Sequence, residues 1–311
     1  MNRASPTSPA ASPGHHARSA FAAGLAAYVL WGFLPLLFHA LRNVPPLELV
    51  AWRVVFTVPV CLGFVMASKG WGDLVATLRQ PRLALRLVLS ALLIGTNWAL
   101  YVTAVINGHV LATSLGYYIN PLLNVLIGTL FLGERLGWRQ WSAVAIAGAG
   151  IALLLAGAMQ MLGTAIELAA SFALYGLIRK TTPVTAITGL TIETLVLFPA
   201  AVVWAWITAH GPHGSSMAHG GLTAALLVGS GLTTAIPLML FAVAARNLAL
   251  STLGFLQFAA PTLVFLVGVF ILGEPLDTLR LACFVLIWIA VALFIWDIWQ
   301  RTRYLNRQAA S

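Results

Sequence analysis

Charged residues are scarce in this sequence of 311 residues, at 8% of the chain, and only eight residues are acidic. Soluble domains carry about 25% charged residues, so a water-soluble globule is excluded. Hydrophobic residues make up 60% of the chain, and the mean hydropathy is +0.92. The formal net charge of +9 reflects the shortage of acids rather than a patch of Lys and Arg. A nucleic-acid partner, which would need such a patch, is therefore not expected.

Cysteine is nearly absent as well. Cys61 and Cys283 both fall inside apolar runs, which excludes a disulfide framework and predicts two small core residues. His210, His213 and His219 share one predicted loop without a cysteine or carboxylate beside them, so we predict no metal site. The Gly-rich, Lys-bearing motif of nucleotide-binding proteins is also missing, and we expect no cofactor.

Long apolar runs are what the chain has in excess. Ten of them follow one another, and most reach the roughly 20 residues that a helix needs to cross hydrocarbon. Only helices satisfy their own backbone groups in open spans, and the alternation of a membrane barrel is absent. The predicted fold class is therefore an all-α polytopic membrane protein with ten transmembrane helices. The predicted spans are 19–40, 46–67, 83–104, 110–132, 139–158, 161–179, 186–209, 220–244, 250–272 and 278–299.

Lys and Arg are distributed unevenly between the two sides of this predicted bundle. With the N-terminus placed inside, fourteen of the seventeen basic residues fall on the cytoplasmic side, among them Arg179 and Lys180. Because cytoplasmic loops carry the excess of positive charge, both termini are expected in the cytoplasm. Residues 1–18 are predicted to be a disordered tail, and residues 300–311 a basic tail.

The two halves of the chain, 19–158 and 161–299, repeat one another. PLLNVLIGTLFLGERL at 121–136 and PTLVFLVGVFILGEPL at 261–276 are identical at eight of sixteen positions, at an offset of 140 residues. Five helices is an odd number, so the second half must cross the membrane in the opposite direction to the first. Inverted repeats are the architecture of many secondary transporters, whose halves rock around a midplane site. Each shared Leu-Gly-Glu motif is expected to end a helix.

Charged side chains within spans cost about 2.5–3.5 kcal/mol each to insert, which makes them candidates for function. Arg53 and Glu193 are the deepest, each about 10 Å into its span, and they are also 140 residues apart. We expect Arg53 to contact a substrate and Glu193 to couple transport to protons. The alternative is that each forms a structural ion pair with another helix. Glu48 and Glu167 lie near helix starts, where their carboxylates are expected to reach the interface.

Aromatic and amide side chains form a second group of candidates. Asn97 and Tyr101 are four residues apart on the third span, as are Asn120 and Asn124 on the fourth, so each pair shares a helix face. Facing rings and amides can bind an organic solute by stacking and hydrogen bonding. The alternative is that the amides hydrogen-bond between packed helices.

Six stretches, spread over the whole chain apart from its tails, resemble one and the same protein family. They are AYVLWGFLPLLF (27–38), LELVAWR (47–53), NWALYVTAVINGHVLATSLGYYINPLLNVLIGTLFLGERL (97–136), SFALYGLIRK (171–180), IETLVLFPA (192–200) and STLGFLQFAAPTLVFLVGVFILGEPL (251–276). In these stretches the chain resembles the EamA-type drug/metabolite transporter superfamily, and the RarD subfamily within it. The resemblance implies ten helices in two inverted repeats, a location in the cell inner membrane, and transport of small organic molecules.

The same resemblance implies a central cavity lined mainly by the first, third, fourth, sixth, eighth and ninth helices. Residues of those helices, together with Arg53 by its depth, are the predicted substrate-binding group. They are Trp31, Arg53, Asn97, Trp98, Tyr101, Tyr117, Asn120, Tyr175 and Gln257.

The function expected from these features is secondary transport of a small metabolite or drug by alternating access of the two halves. A membrane-embedded enzyme acting on a lipid-linked substrate and a non-transporting accessory subunit are the alternatives. The sequence lacks the clustered acids, HExxH motif or activated nucleophile of such enzymes, so we expect no enzyme activity. The expected partners are a small-molecule substrate and the lipid bilayer, with a homodimer left open.

Overall fold

The computed structural model describes residues 13–107, 109–156, 159–212, 214–218, 220–273 and 278–308. Within those residues all regular structure is helical, and ten stretches are long and apolar enough to cross a membrane. The predicted all-α fold with ten spans, arranged as two inverted five-helix repeats, is confirmed. The α-helices described are α1 (Pro13–Gly32), α2 (Leu34–Ala40), α3 (Pro46–Ala67), α4 (Trp71–Leu78), α5 (Pro81–Ile106), α6 (Val110–Leu132), α7 (Trp138–Ala156), α8 (Leu162–Thr181), α9 (Ala186–Ala209), α10 (Gly221–Asn247), α11 (Leu250–Gln257), α12 (Ala259–Phe270) and α13 (Thr278–Gln308).

Consecutive spans run antiparallel because the connections between them are short. We call the side of the bundle where α1 begins and α13 ends the terminal face, and the other side the opposite face. Contacts between connections agree with this alternation, since Arg86 Nη1 near the start of α5 donates to the carbonyl of Thr181 at the end of α8, at 3.3 Å. The short helix α4 lies between two spans on the terminal face.

Two of the ten spans are interrupted where proline removes a backbone donor. The first span breaks at Phe33, two residues before Pro35, and the ninth breaks at Phe258, three residues before Pro261. A proline ring also clashes with the carbonyl four residues earlier, which favours a break at this distance. At the first break, Gly32 allows close packing against α12, because a Cβ there would lie 2.5 Å from the Cβ of Leu263.

Both chain ends are more helical than the sequence predicts. α1 begins at Pro13, inside the predicted disordered tail 1–18, because proline suits the first turn of a helix. α13 continues to Gln308, beyond the predicted end of the last span at residue 299. No Gly or Pro follows Trp299 within α13 to stop it.

An aromatic cluster fills the bundle between α1, α8 and α10, in the half nearer the terminal face. Tyr175 and Phe241 stack with their ring centroids 5.7 Å apart and their planes 15° apart. Trp31 lies 5.8 Å from Phe241, and Tyr28 packs against both. Offset-stacked and edge-to-face pairs each add about 0.5–1.5 kcal/mol to the burial of their apolar surface. The cluster therefore holds the two halves of the protein together on this side.

Candidate functional site

Arg53 is held between aromatic rings in the half of the bundle nearer the opposite face. Its Nε donates to Thr234 Oγ1 on α10, at 3.1 Å. Its guanidinium carbon lies 5.6 Å from the ring centroid of Phe38 and 5.5 Å from that of Trp98. A cation over an aromatic face gains about 0.5–2 kcal/mol, which offsets part of the cost of removing the charge from water. Three helices thus position this cation, and no carboxylate of the described residues forms an ion pair with it.

Two tyrosines complete the surroundings of Arg53. The ring centroids of Tyr101 and Tyr117 are 6.2 Å apart, and both hydroxyls lie within electrostatic range of the guanidinium. Tyr117 is 46% exposed, and Arg53, Trp98 and Tyr101 are half-buried. We call the accessible space beside these side chains the Arg53 cavity, and its wall includes Phe38, Arg53, Trp98, Tyr101 and Tyr117.

Glu193 lies in a sealed polar cluster in the other half of the bundle. Its Oε1 accepts a hydrogen bond from Ser90 Oγ at 2.7 Å and forms an ion pair with Arg179 Nη1 at 3.3 Å, while Tyr175 donates to Oε2 at 3.3 Å. The side chains of Arg179 and Glu193 are each 1% exposed. Breaking a buried pair of this kind by removing one partner leaves an uncompensated charge. The predicted alternative of an ion pair to another helix is therefore the arrangement that the structure shows for Glu193.

Arg179 is the polar residue that sequence reasoning misplaced. Its position at the end of a predicted span assigned it to a cytoplasmic loop, but the side chain turns inward and is buried. Gly189 makes room for it, because a Cβ at that position would collide with Arg179 Nη1. The sequence did contain a pattern that could have predicted this contact. Arg179 ends one helix, and Gly189 and Glu193 lie four residues apart on the same face of the next helix.

The predicted amide residues link helices to one another. Asn97 Nδ2 donates to the carbonyl of Leu168 at 2.8 Å and to Ser171 Oγ at 3.0 Å. Asn120 Nδ2 donates to the carbonyl of Ala169 at 2.6 Å. All three acceptors lie on α8, so these amides tie α5 and α6 to α8. This geometry matches the alternative of interhelical hydrogen bonding, and a substrate contact by either side chain stays a prediction.

A further amide chain joins α6 to α11. Asn124 Nδ2 donates to Asn120 Oδ1 at 3.1 Å and to Gln257 Oε1 at 2.9 Å. Gln257 is buried, as is Tyr175, and Trp31 is half-buried in the aromatic cluster described above. Of the nine predicted substrate-binding residues, the structure brings Arg53, Trp98, Tyr101 and Tyr117 together around one cavity. The other five lie in packed regions.

Positions related by the repeat differ in their accessibility. Arg53, Trp98 and Tyr101 are half-buried and Tyr117 is exposed to the cavity. The residues 140 positions later in the chain are all sealed, with 1–4% of their surface exposed, and they are Glu193, Leu238, Phe241 and Gln257. The same part of the repeat is therefore open in the half near the opposite face and closed in the half near the terminal face.

The terminal face is closed by polar contacts between connections. Glu134 follows Gly133, whose positive φ of 66° ends α6, and its carboxylate accepts from the backbone N–H groups of Leu250 at 2.6 Å and Ser251 at 2.9 Å. A carboxylate at this helix start also complements the helix dipole of α11. Arg246 Nη1 donates to the carbonyl of Val184 at 2.6 Å. Lys180 Nζ donates to the carbonyl of Leu248.

Glu48 fixes a connection on the opposite face and is buried, contrary to the prediction that it reaches the interface. Its carboxylate accepts from Trp52 Nε1 at 3.1 Å, Ser215 Oγ at 2.9 Å, and Ser216 N and Oγ at 2.8 and 2.6 Å. Four donors satisfy this carboxylate inside the protein, which explains why it does not need water. Glu167 is exposed.

No group of three His, Cys, Asp or Glu residues that could hold a metal ion occurs among the described residues. His213 and His219 of the loop considered in the sequence lie outside those residues, as does Glu274 of the second Leu-Gly-Glu motif. Both cysteines are free and buried, as the sequence predicts.

Comparison with known proteins identifies the family. Residues 18–156 match the model of the EamA-like transporter family. An uncharacterized transporter of Pseudomonas aeruginosa is 43% identical over 291 residues, covering 93% of this chain and 97% of that protein. Protein RarD of Escherichia coli is 40% identical over 279 residues, covering 88% of this chain and 92% of that protein. The chloramphenicol-sensitive protein RarD of Pseudomonas aeruginosa is 32% identical over 292 residues, covering 92% and 95%.

A solved structure shares the fold. It is titled "Crystal structure of protein", and it matches with a TM-score of 0.72 and 22% sequence identity over 89% of this chain and 97% of that chain. Its agreement supports the arrangement of helices described above. Two relatives, a transporter and protein RarD, are at least 40% identical to this chain over most of their length. The chain belongs to the EamA-like transporter family and is of the RarD type.

Proposed function

We propose that this protein moves a small organic solute across the cell inner membrane by alternating access between its two inverted halves. The observation that carries the proposal is the unequal accessibility of repeat-related residues, with Arg53 and Tyr117 open and Glu193 and Gln257 sealed. If the halves exchange conformations, the sealed set opens as the accessible set closes. One bundle then presents the same solute site first to one side of the membrane and then to the other.

The sidedness of the proposal follows from the distribution of positive charge. Most Lys and Arg residues belong to the terminal face, so this face is assigned to the cytoplasm together with both chain ends. The Arg53 cavity then belongs to the outward-facing half of the protein. In this state the contacts of Glu134, Lys180 and Arg246 close the cytoplasmic side.

The proposal further includes the coupling of transport to protons, with Glu193 as the residue that binds and releases the proton. Opening the terminal face would bring water to the pair of Glu193 and Arg179, where the carboxylate could exchange a proton. In proteoliposomes we expect Glu193→Gln to lose the dependence of transport on pH that the unaltered protein shows. Ser90→Ala is the matched control, because it removes the 2.7 Å hydrogen bond and keeps the carboxylate. An unchanged pH profile in Glu193→Gln would remove this residue from coupling.

A cross-link near the terminal face tests the alternating-access mechanism. Gly24 on α1 and Ala244 on α10 are suited to it, because a Cβ on Gly24 would lie 3.1 Å from that of Ala244, close to the roughly 3.8 Å of a disulfide. In a background with Cys61 and Cys283 replaced by alanine, Gly24→Cys/Ala244→Cys is reconstituted with a mixture of small metabolites. Protein-dependent loss of solutes from the lumen is measured by mass spectrometry.

We expect the oxidised cross-link to stop solute movement and a reductant to restore it. The matched control is the single variant Gly24→Cys in the same background, which carries one thiol and cannot form the cross-link. That control is expected to transport in both redox states. Equal transport by the oxidised and reduced Gly24→Cys/Ala244→Cys variant would contradict the mechanism. No feature of the described residues favours an enzyme or an accessory subunit over a transporter.

A further inference from the structure

We propose that the Arg53 cavity binds the carboxylate of a small organic monoanion through the guanidinium of Arg53, an inference that rests on the proposed transport function and names its substrate class. The body of this solute is apolar or aromatic. Arg53 is thereby the residue that recognises the negative charge of the solute, and the surrounding aromatic rings contact its apolar part.

The first observation is that the guanidinium fork is unoccupied by protein. Nε is held by Thr234, whereas the two Nη groups have no hydrogen-bond partner within the described chain and are not buried. Each Nη carries two N–H donors in a fixed plane, which matches the two oxygens of a carboxylate. The bond to Thr234 and the rings of Phe38 and Trp98 hold that plane in place.

The second observation is that the protein supplies no counter-charge to Arg53 from its described residues. Six acidic residues are described, and the two ion pairs found among them join Arg139 to Asp297 and Arg179 to Glu193. Glu48 and Glu134 are engaged by backbone and side-chain donors elsewhere. Asp73 and Glu167 are exposed on α4 and α8. An unpaired cation inside a membrane span is costly, and an anionic solute would relieve that cost.

The repeat sharpens this contrast. Glu193, 140 residues after Arg53, has an opposite charge supplied by the protein itself at 3.3 Å. Arg53 has no such partner among the described residues. The buried charge of Glu193 is thus neutralised by the protein, whereas the charge of Arg53 at the repeat-related position is available to a ligand.

The lining of the cavity indicates the rest of the solute. The hydroxyls of Tyr101 and Tyr117 have no partner within the described residues and lie within electrostatic range of the guanidinium, so they can donate to the same anion. The other walls are the rings of Phe38 and Trp98, which suit an apolar or stacked body. One guanidinium balances one negative charge, and the aromatic walls would leave the second charge of a phosphate uncompensated. This balance favours a monocarboxylate.

Ligand binding to the purified full-length protein tests the inference without any transport assay. The probes are phenylacetate, indole-3-acetate and hexanoate, each compared with its neutral amide, and benzylphosphonate as the phosphate-like alternative. We expect at least one carboxylate to raise the thermal stability in a saturable way, and to bind about 10- to 100-fold more tightly than its amide, as expected for a charge-assisted contact. Equal effects of acids and amides, no effect of any acid, or tighter binding of benzylphosphonate would each overturn the inference.

Variants then assign the effect to Arg53. We expect Arg53→Gln to lower the affinity for the bound carboxylate by the same factor and to leave the affinity for its amide within about twofold. Arg42→Gln, which removes an exposed cation from the same face, is the matched control and is expected to bind normally. Arg53→Lys keeps the charge without the fork and is expected to give an intermediate affinity. If Arg53→Gln does not fold, the comparison of acid with amide on the unaltered protein still decides the inference.

The same binding data separate this inference from the proposed function. Carboxylate binding that depends on Arg53, without movement of any solute in proteoliposomes, would retain the site and contradict transport. Solute movement with no preference for carboxylates would retain transport and contradict the substrate class.

Discussion

Arg53 and Glu193 show how residue surroundings decide the role of an intramembrane charge. Both lie seven residues into a helix and are 140 residues apart, so they occupy equivalent positions of the repeat and cannot be distinguished by sequence position alone. Glu193 receives an arginine, a serine and a tyrosine from neighbouring helices, and it is sealed. Arg53 contacts Thr234 and the rings of Phe38 and Trp98, and its two Nη groups face the Arg53 cavity. The first arrangement compensates a buried charge within the protein, and the second leaves a charge that can bind a ligand.

The pair of Arg179 and Glu193 gives a stability prediction at this scale. Arg179→Leu leaves a carboxylate without its counter-charge in a buried site, and we expect it to lower the free energy of unfolding by about 3–5 kcal/mol. The double variant Arg179→Leu/Glu193→Leu removes both charges and is expected to recover most of that loss. Thermal unfolding in detergent measures both. A double variant as unstable as the single one would show that the charge pairing is not the cause.

Asn97 gives a prediction that separates packing from substrate binding. Its amide donates to two acceptors on α8, and membrane hydrogen bonds of this kind contribute about 0.6–2 kcal/mol. We expect Asn97→Ala to lower stability by about 1 kcal/mol and to leave ligand affinity unchanged. Unfolding and ligand titration on the same preparation measure the two effects. A loss of affinity without a loss of stability would favour the substrate contact predicted from the sequence.

At the scale of elements, the start of α11 is held by a residue from the other half of the protein. Glu134 stands in the connection after α6 and accepts from two N–H groups that α11 cannot satisfy internally. The Leu-Gly-Glu motif thus ends one helix and fixes another. It also joins the two halves across the terminal face, where alternating access requires a contact that can open.

Hydrogen exchange tests this role of Glu134. In Glu134→Gln the side chain keeps one acceptor oxygen and loses its charge, so the two N–H groups are less well held. We expect faster exchange of the amides of Leu250 and Ser251 and of the residues that follow in α11. Glu167→Gln, at an exposed carboxylate on α8, is the control and is expected to leave exchange there unchanged. Unaltered exchange in Glu134→Gln would show that the closure does not depend on this carboxylate.

At the scale of the whole molecule, composition and repetition predict the architecture. Each apolar run is long enough to define a span, and the motif shared by 121–136 and 261–276 defines the repeat. Because each half has five helices, the second copy is inverted. Tertiary packing decides what the sequence leaves open. The inward turn of Arg179 depends on the space above Gly189, and the contacts of Arg53 come from Phe38 and Thr234 on other helices. Neither follows from a pattern along one helix, because both depend on how neighbouring helices are rotated.

Accessibility of the Arg53 cavity from both sides of the membrane tests the account most directly. Tyr117→Cys is placed in the background without Cys61 and Cys283, and right-side-out and inverted vesicles are treated with a membrane-impermeant maleimide. Ser68→Cys on the terminal face and His210→Cys on the opposite face are exposed controls, each expected to react from one side alone. The account predicts that the thiol of the Tyr117→Cys variant reacts from both sides, and faster from the side that His210→Cys reports. Reaction from a single side under all conditions would contradict alternating access.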